Sequence, residues 1–211
     1  NTPNFTFSTN EAGTITYGGS CSSSTTSAIS GNNTITLNSL SDGTFSDCTI
    51  TVTDSLGHAS SALSVSTFVV DTTAPSVDNF TLSDTELKAG DNATVTLVFS
   101  EPVTGFDSDD DIEHPEGTFP AMTLDTSDNV TWTGIFTPTP NTEDASNTLS
   151  LADSWTDIVG NAGTDNTTAN YEVDTKRPSA STFTLSDTDP TYFYGSRIAL
   201  KPGDNATVTL V

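Results

Sequence analysis

Basic residues are scarce: 5 Lys and Arg stand against 28 Asp and Glu among 211 residues, a formal charge of −23. A field of that sign repels a polyphosphate, which excludes a nucleic-acid groove. Hydrophobic side chains make up only 33% of the chain, and its 14 glycines do not raise the total to that of an ordinary globular domain. One large core is therefore excluded, while several small ones are not. No apolar run approaches the roughly 18 residues of a membrane-crossing helix. Residues Asn1 to Ser8 offer neither a basic nor an apolar leader segment, so any export signal is expected outside this chain. Methionine occurs once, at Met122, and runs of Leu, Glu, Lys and Ala are missing, which removes the composition of long helices.

What remains is Thr and Ser alternating with Val, Ile, Leu and Phe. Period-two patterns fall at Asn4–Ser8, Thr14–Tyr17, Thr34–Leu37, Thr49–Thr53 and Leu63–Val70. They return at Phe80–Leu82, Ala93–Phe99, Thr118–Leu124, Asn129–Thr137, Thr148–Leu151 and Tyr171–Val173. Each places apolar residues on one face and hydroxyls on the other, the signature of a strand with one wet face. Many short strands separated by turn residues predict an all-β chain of tandem sandwiches.

The chain also repeats itself. Asp54-Ser-Leu-Gly-His58-Ala59 and Asp157-Ile-Val-Gly-Asn161-Ala162 are 103 residues apart, as are Asp71-Thr-Thr-Ala-Pro75 and Asp174-Thr-Lys-Arg-Pro178. Phe80–Thr85 reappears as Phe183–Thr188. Gly90–Val98 then reappears as Gly203–Val211 after a ten-residue insert near Asp189–Leu200 that contains Tyr192, Phe193 and Tyr194. The predicted units are 1–70, 71–174 and 175–211. Phe7-Ser8 with Glu11 parallels Phe99-Ser100-Glu101, so the first unit is expected to lack its first strand, and the third to hold only opening strands.

Cys21 and Cys48 lack metal-type spacing and flank two strands expected to be neighbours. A disulfide is predicted, with two free buried thiols as the alternative. Asn-x-Thr occurs at Asn4, Asn32, Asn79, Asn92, Asn129, Asn166 and Asn205, as abundant Asn and Thr produce by chance. Catalytic parts are wanting. The two histidines, His58 and His114, belong to no HExxH motif, nucleophile elbow or Cys–His pair, and short repeated strands offer no large apolar cleft to keep a carboxyl protonated. No enzyme activity is expected.

Asp71–Pro75, Ala93–Phe106 with its Glu101-Pro102, Trp132–Pro138 and Asp157–Gly163 together resemble the bacterial immunoglobulin-like repeat domains of large extracellular adhesins. The resemblance is close over 72–174, and residues 1–70 are similar to a shorter cousin. It implies tandem immunoglobulin-like β-sandwiches in an extracellular rod on a cell surface or secreted filament, serving cell adhesion or biofilm. Partners would be further copies of the repeat or a surface glycan or protein. Such a rod is often stiffened by calcium. In that fold the entering linker, the loop after the second strand and the last loop share one pole, which would gather Asp71, Glu101, Asp157 and Asn161 into a Ca²⁺ site of hard oxygen ligands. Glu11 and Asp54 repeat the pattern in the first unit, where His58 replaces the Asn and a weaker or incomplete site is expected. Asp174 would begin the next junction. The same residues serve equally as turn formers, since Asp and Asn hydrogen-bond their own loops.

Asp107–Glu113 mimics a calcium-binding loop until Ile112 and Thr118 stand where Gly and Glu are needed, so a solvated acidic loop is expected there. The alternatives to a spacer are a glycan- or surface-binding module using Tyr192, Phe193 and Tyr194, and an accessory domain of a secreted hydrolase.

Overall fold

The computed structural model describes residues 2–187 and the strand residues 193–194, 197–198 and 206–210, with side-chain burial through residue 182. Strands β1 (Asn4–Thr9), β2 (Gly13–Gly18), β3 (Ser27–Ala28), β4 (Gly31–Thr36), β5 (Gly43–Phe45), β6 (Thr49–Thr53), β7 (Leu63–Ser64) and β8 (Phe68–Val70) come first. A second group follows: β9 (Val77–Leu82), β10 (Glu86–Lys88), β11 (Ala93–Phe99), β12 (Val103–Thr104), one helical turn α1 (Ser108–Asp111), β13 (Ile112–Glu113), β14 (Gly117–Thr118), β15 (Thr123–Leu124), β16 (Thr131–Pro138), β17 (Glu143–Asn147), β18 (Ser150–Leu151), β19 (Thr156–Asp157), β20 (Asn166–Thr167) and β21 (Tyr171–Asp174). Strand β22 (Phe183–Asp187) pairs with β25 (Ala206–Leu210), and β23 (Phe193–Tyr194) with β24 (Arg197–Ile198).

Alternation dictates the layers. In β11 the burial pattern strictly alternates from Ala93 to Phe99, and Val95, Leu97 and Phe99 face a core closed by Phe136, Trp155 and Tyr171. This sheet runs β14-β16-β11-β9; opposite it lie β10-β21-β17 and the short pairs made by β12, β13, β18, β19 and β20. Gly163 makes room for the Trp155 ring, because a Cβ there would come within 2.4 Å of it. The first group has a separate core of Phe7, Ile15, Ile35, Leu37 and Ile50, between β1-β4 on one side and β3-β2-β6-β7 on the other. The chain is thus all-β, as its composition predicts.

Several elements depart from the alternation reading. Leu63–Val70 splits into β7 and β8, because β7 pairs with β6 while β8 pairs with β5, so the chain changes sheets between them. Thr118–Leu124 breaks around Pro120, which has no N–H to give a ladder. Within the acidic run 107–113, Ser108–Asp111 form a capped helical turn and Ile112–Glu113 strand β13, while Asp107, Asp109, Asp110 and Glu113 stay exposed. Asp107 caps the turn by accepting the Asp109 N–H, and buried Asp111 accepts the Asp107 N–H and the Ser154 hydroxyl.

Cys21 and Cys48 form a disulfide with a Cα separation of 5.3 Å. The pairing follows from the β2–β6 register, in which Gly18 faces Thr49 and brings the flanking residues together. Closing this loop limits the unfolded chain by about 3 kcal/mol on the chain-entropy account. For so small a core this is a large share of stability. Cys21→Ser/Cys48→Ser is expected to lower the first-domain midpoint by more than 10 °C in thermal unfolding and to leave the middle domain's transition in place.

Candidate metal site at the linker

The site begins with a hairpin. Asp157 closes β19, and its Oδ1 accepts N–H groups of Val159, Gly160 and Asn161 at 2.9, 2.7 and 2.9 Å. Gly160 supplies the positive φ of 98° that this turn needs. Asn161 then reaches in two directions. Its Nδ2 donates to Asp157 Oδ2 at 2.7 Å and also to the linker carbonyls of Asp71 and Thr73 at 3.1 and 3.2 Å. The linker is held at its other end too, where Ser100 donates its N–H to the Ser76 carbonyl and Ser76 donates its own to Ser100 Oγ. On the first-domain side, the hydroxyls of Thr72 and Thr73 donate to the Asp42 carboxylate. Residues 71–76 are thereby tied to both neighbouring units.

These ties fix three carboxylates. Glu101 follows β11, and the pairing of Val103 with Asp157 brings its loop alongside the hairpin. One ligand oxygen from each of Asp71, Glu101 and Asp157 lies within 4.8 Å of the other two, with Asp157 buried and the others half-buried. Among the described residues this is the one such group, and none of the described ion pairs involves its members. All the donors are hard oxygens from separate segments, a set suited to Ca²⁺.

The charges show the strain of this approach. Removal from water raises the Glu101 carboxyl above its ordinary value, and the Asp71 and Asp157 carboxylates push it the same way. Burial acts on Asp157 in that direction as well, but the Asn161 side chain and the N–H groups of Asn161, Gly160 and Val159 outweigh it and leave Asp157 lowered.

Other predicted residues fall elsewhere. Asp54 occupies the matching hairpin of the first domain, accepting the Leu56 and His58 N–H groups at 2.8 and 2.9 Å, with His58 Nδ1 2.9 Å from its second oxygen. Glu11 lines the same shallow pocket as Asp54 and His58, but these three do not converge as the Asp71 group does. Asp174 lies in β21 between Lys88 and Glu143 and caps the Lys176 N–H. Tyr192 lies outside the described residues, and Phe193 and Tyr194 are described only as backbone of β23. The role of Asn161 as a clamp on the linker backbone was hidden in sequence, since a carbonyl carries no residue label.

Residues 71–173 match the bacterial Ig-like domain family. A search of curated proteins finds no match. Among solved structures, that of FdeC, an Escherichia coli adhesin, is similar at 16% identity and a TM-score of 0.31; the alignment covers 88% of this chain and 59% of that one.

Since the folded-state value of Glu101 is raised, stability grows as pH falls through that value toward the unfolded 4.5. The Asp157 contribution is present above 3.8 and is lost as pH falls through its lowered value. In metal-free buffer the middle-domain midpoint should rise as pH falls from neutrality toward 4.5 and fall once pH drops below 3.8. Glu101→Gln should raise the neutral-pH midpoint by a few degrees and remove most of the rise toward 4.5, both read from thermal unfolding.

Proposed function

Because residues 71–173 belong to the bacterial Ig-like domain family, we propose that the chain is a structural segment of an extracellular fibre, stalk or adhesin. Its repeats act as spacers and Ca²⁺ sets the stiffness of the junction between them. The observation that carries this reading is the convergence of Asp71, Glu101 and Asp157 on a linker already clasped by Asn161 and Asp42. A divalent cation there would replace like-charge repulsion with shared coordination. The linker, the end of β11 and the last hairpin would then be joined through one ion, in addition to their hydrogen bonds.

The site chemistry supports a role without catalysis. The carboxylates that could act as acid or base face one another at an open pole, and Asp157 is committed to four hydrogen bonds within its own hairpin. Bending and spacing are what such a site can control. A surface or extracellular location accords with the disulfide, which persists where the environment is oxidising.

Millimolar Ca²⁺ is expected to raise the middle-domain midpoint by several degrees over EDTA and to narrow the distribution of end-to-end distances in small-angle scattering. Asp71→Asn/Glu101→Gln should abolish both responses while keeping the Asp157 hairpin intact. Superimposable melting and scattering curves with Ca²⁺ and EDTA would sink the calcium reading and leave a metal-independent spacer.

A further inference from the structure

Two hairpin tips carry side chains that folding does not explain. The turn after Asp157 is made by that carboxylate and by Gly160, and the turn after Asp54 by the same two devices, with Gly57 at a positive φ of 91°. Between such an Asp and its Gly, small polar residues are the usual choice. The middle domain instead has Ile158 and Val159, 77% and 51% exposed, and the first has Leu56, 82% exposed. Three of the seven large apolar side chains that the described residues expose thus stand on two tips, so this exposure follows a place in the fold and is not scattered. The middle-domain tip also rises from an acidic base, since Asp157 begins it and Asp71 and Glu101 each place an oxygen within 4.8 Å of that carboxylate. The first-domain tip has no such base, and its Asp54 is paired with His58.

The other pole of the middle domain is the chemical complement of that tip. A pocket of about 420 Å³ opens between the β10–β11 turn, the β16–β17 turn and the residues that follow β21. Its size lies within the roughly 300–1,000 Å³ of pockets that hold a ligand. Ala89, Pro138 and Pro140 give it apolar walls. Arg177 also lines it, and among the described residues nothing pairs with this guanidinium. An arginine left unpaired is an exception in a chain with 28 acidic side chains. Asp91, the one acid of the lining, is already committed: it accepts the Lys88 N–H at 3.2 Å and lies 3.8 Å from Lys88 Nζ.

Tip and pocket cannot meet within one domain. Asn92, part of the pocket lining, immediately precedes β11, and Glu101 at the base of the tip follows the other end of that strand. At about 3.3 Å per residue the two lie roughly 30 Å apart. The middle-domain tip therefore reaches a pocket of this kind only on a second copy of the chain.

We infer that the pocket beside Arg177 receives the Ile158–Val159 tip of a second copy of this chain. The two aliphatic side chains pack on Ala89, Pro138 and Pro140, and the guanidinium meets the carboxylates at the base of the tip. The charge selects the middle-domain tip over that of Leu56. Each copy offers one such tip and one pocket at opposite poles, so the contact is heterologous, does not close on itself and joins chains in an open row. Two side chains bury far less than the about 1,000 Å² of a stable interface. A single contact is therefore weak, with a Kd on the order of 0.5 mM, and it gains strength by repetition along an array. It needs no bound ion and so stands apart from the calcium reading.

Sedimentation equilibrium of the full chain tests this, in EDTA and at about 150 mM salt so that the overall negative charge is screened. The weight-average mass should at least double between about 0.02 and 1 mM protein. Ile158→Ser/Val159→Ser on the tip and Ala89→Trp in the pocket should each hold the mass at that of the monomer. Leu56→Ser should leave association unchanged, and Arg177→Gln should weaken it by about threefold. An equal mixture of the tip and pocket variants should regain dimers and nothing longer, because one intact tip and one intact pocket remain between them. Should Ala89→Trp fail to fold, Arg177→Glu on the exposed segment after β21 takes its place, with roughly tenfold weakening expected. A wild-type chain that stays monomeric to about 1 mM, association that survives the tip variant, an equal loss with Leu56→Ser, or a variant mixture that stays monomeric would overturn the proposal.

Discussion

The Asp157 carboxylate organises one end of the middle domain. One oxygen gathers three consecutive backbone N–H groups and folds the last hairpin over Gly160, while the other orients Asn161. Asn161 in turn holds the linker by its carbonyls, which need no particular side chain. Through Asn161 this carboxylate helps hold Asp71 beside the hairpin. The first domain has the same hairpin at Asp54, with the same N–H to carbonyl bond from Asp54 to His58 and a positive φ at Gly57. There the clamp residue is an imidazole, whose ring is spent on its own Asp.

Much of this was legible in the sequence because two periods are printed there. The two-residue period gave Ala93–Phe99, Thr49–Thr53 and Asn4–Thr9 nearly to the residue, since each has one apolar and one hydroxyl face. The 103-residue period set Asp54 against Asp157, and the pole shared by linker and loops in the immunoglobulin-like fold that the resemblance implies pointed to Asp71, Glu101 and Asp157. Strands that carry little apolar signal were missed. β5, β10 and β17 read as Gly-Thr-Phe, Glu-Leu-Lys and Glu-Asp-Ala-Ser-Asn, and they are strands only because β8 and β21 offer them a ladder. Pairing of that kind is a tertiary fact and leaves no local mark. The helical turn at 108–111 was hidden for the opposite reason. Its four residues look like a solvated run, yet Ser108 and Asp111 are buried to bond Met122 and Ser154.

Both cores are built of apolar side chains, and among the described acids only Asp111 and Asp157 are buried. Asp42, Asp84, Asp91, Asp128 and Asp144 each accept nearby N–H or hydroxyl groups. These bonds depress the Asp42 and Asp128 carboxyls, chiefly through the hydroxyls of Thr72 and Thr131. Acids held in this way are compatible with folding at neutral pH. The Asp71 group differs because its members have been brought toward one another, and only there does the fold concentrate negative charge from three segments.

The Cys21–Cys48 bond has a mechanical corollary. If the chain is pulled from its ends, tension bypasses the 27-residue separation between the two sulfurs, and the enclosed segment, β3, β4 and β5 included, cannot lengthen while the bond is intact. At about 3.5 Å per extended residue, roughly 90 Å of slack is withheld from the first domain. The middle domain has no such shunt and releases its whole contour once it opens. An array of both kinds of unit would therefore yield in unequal steps, with the shorter one set by the redox state of its surroundings.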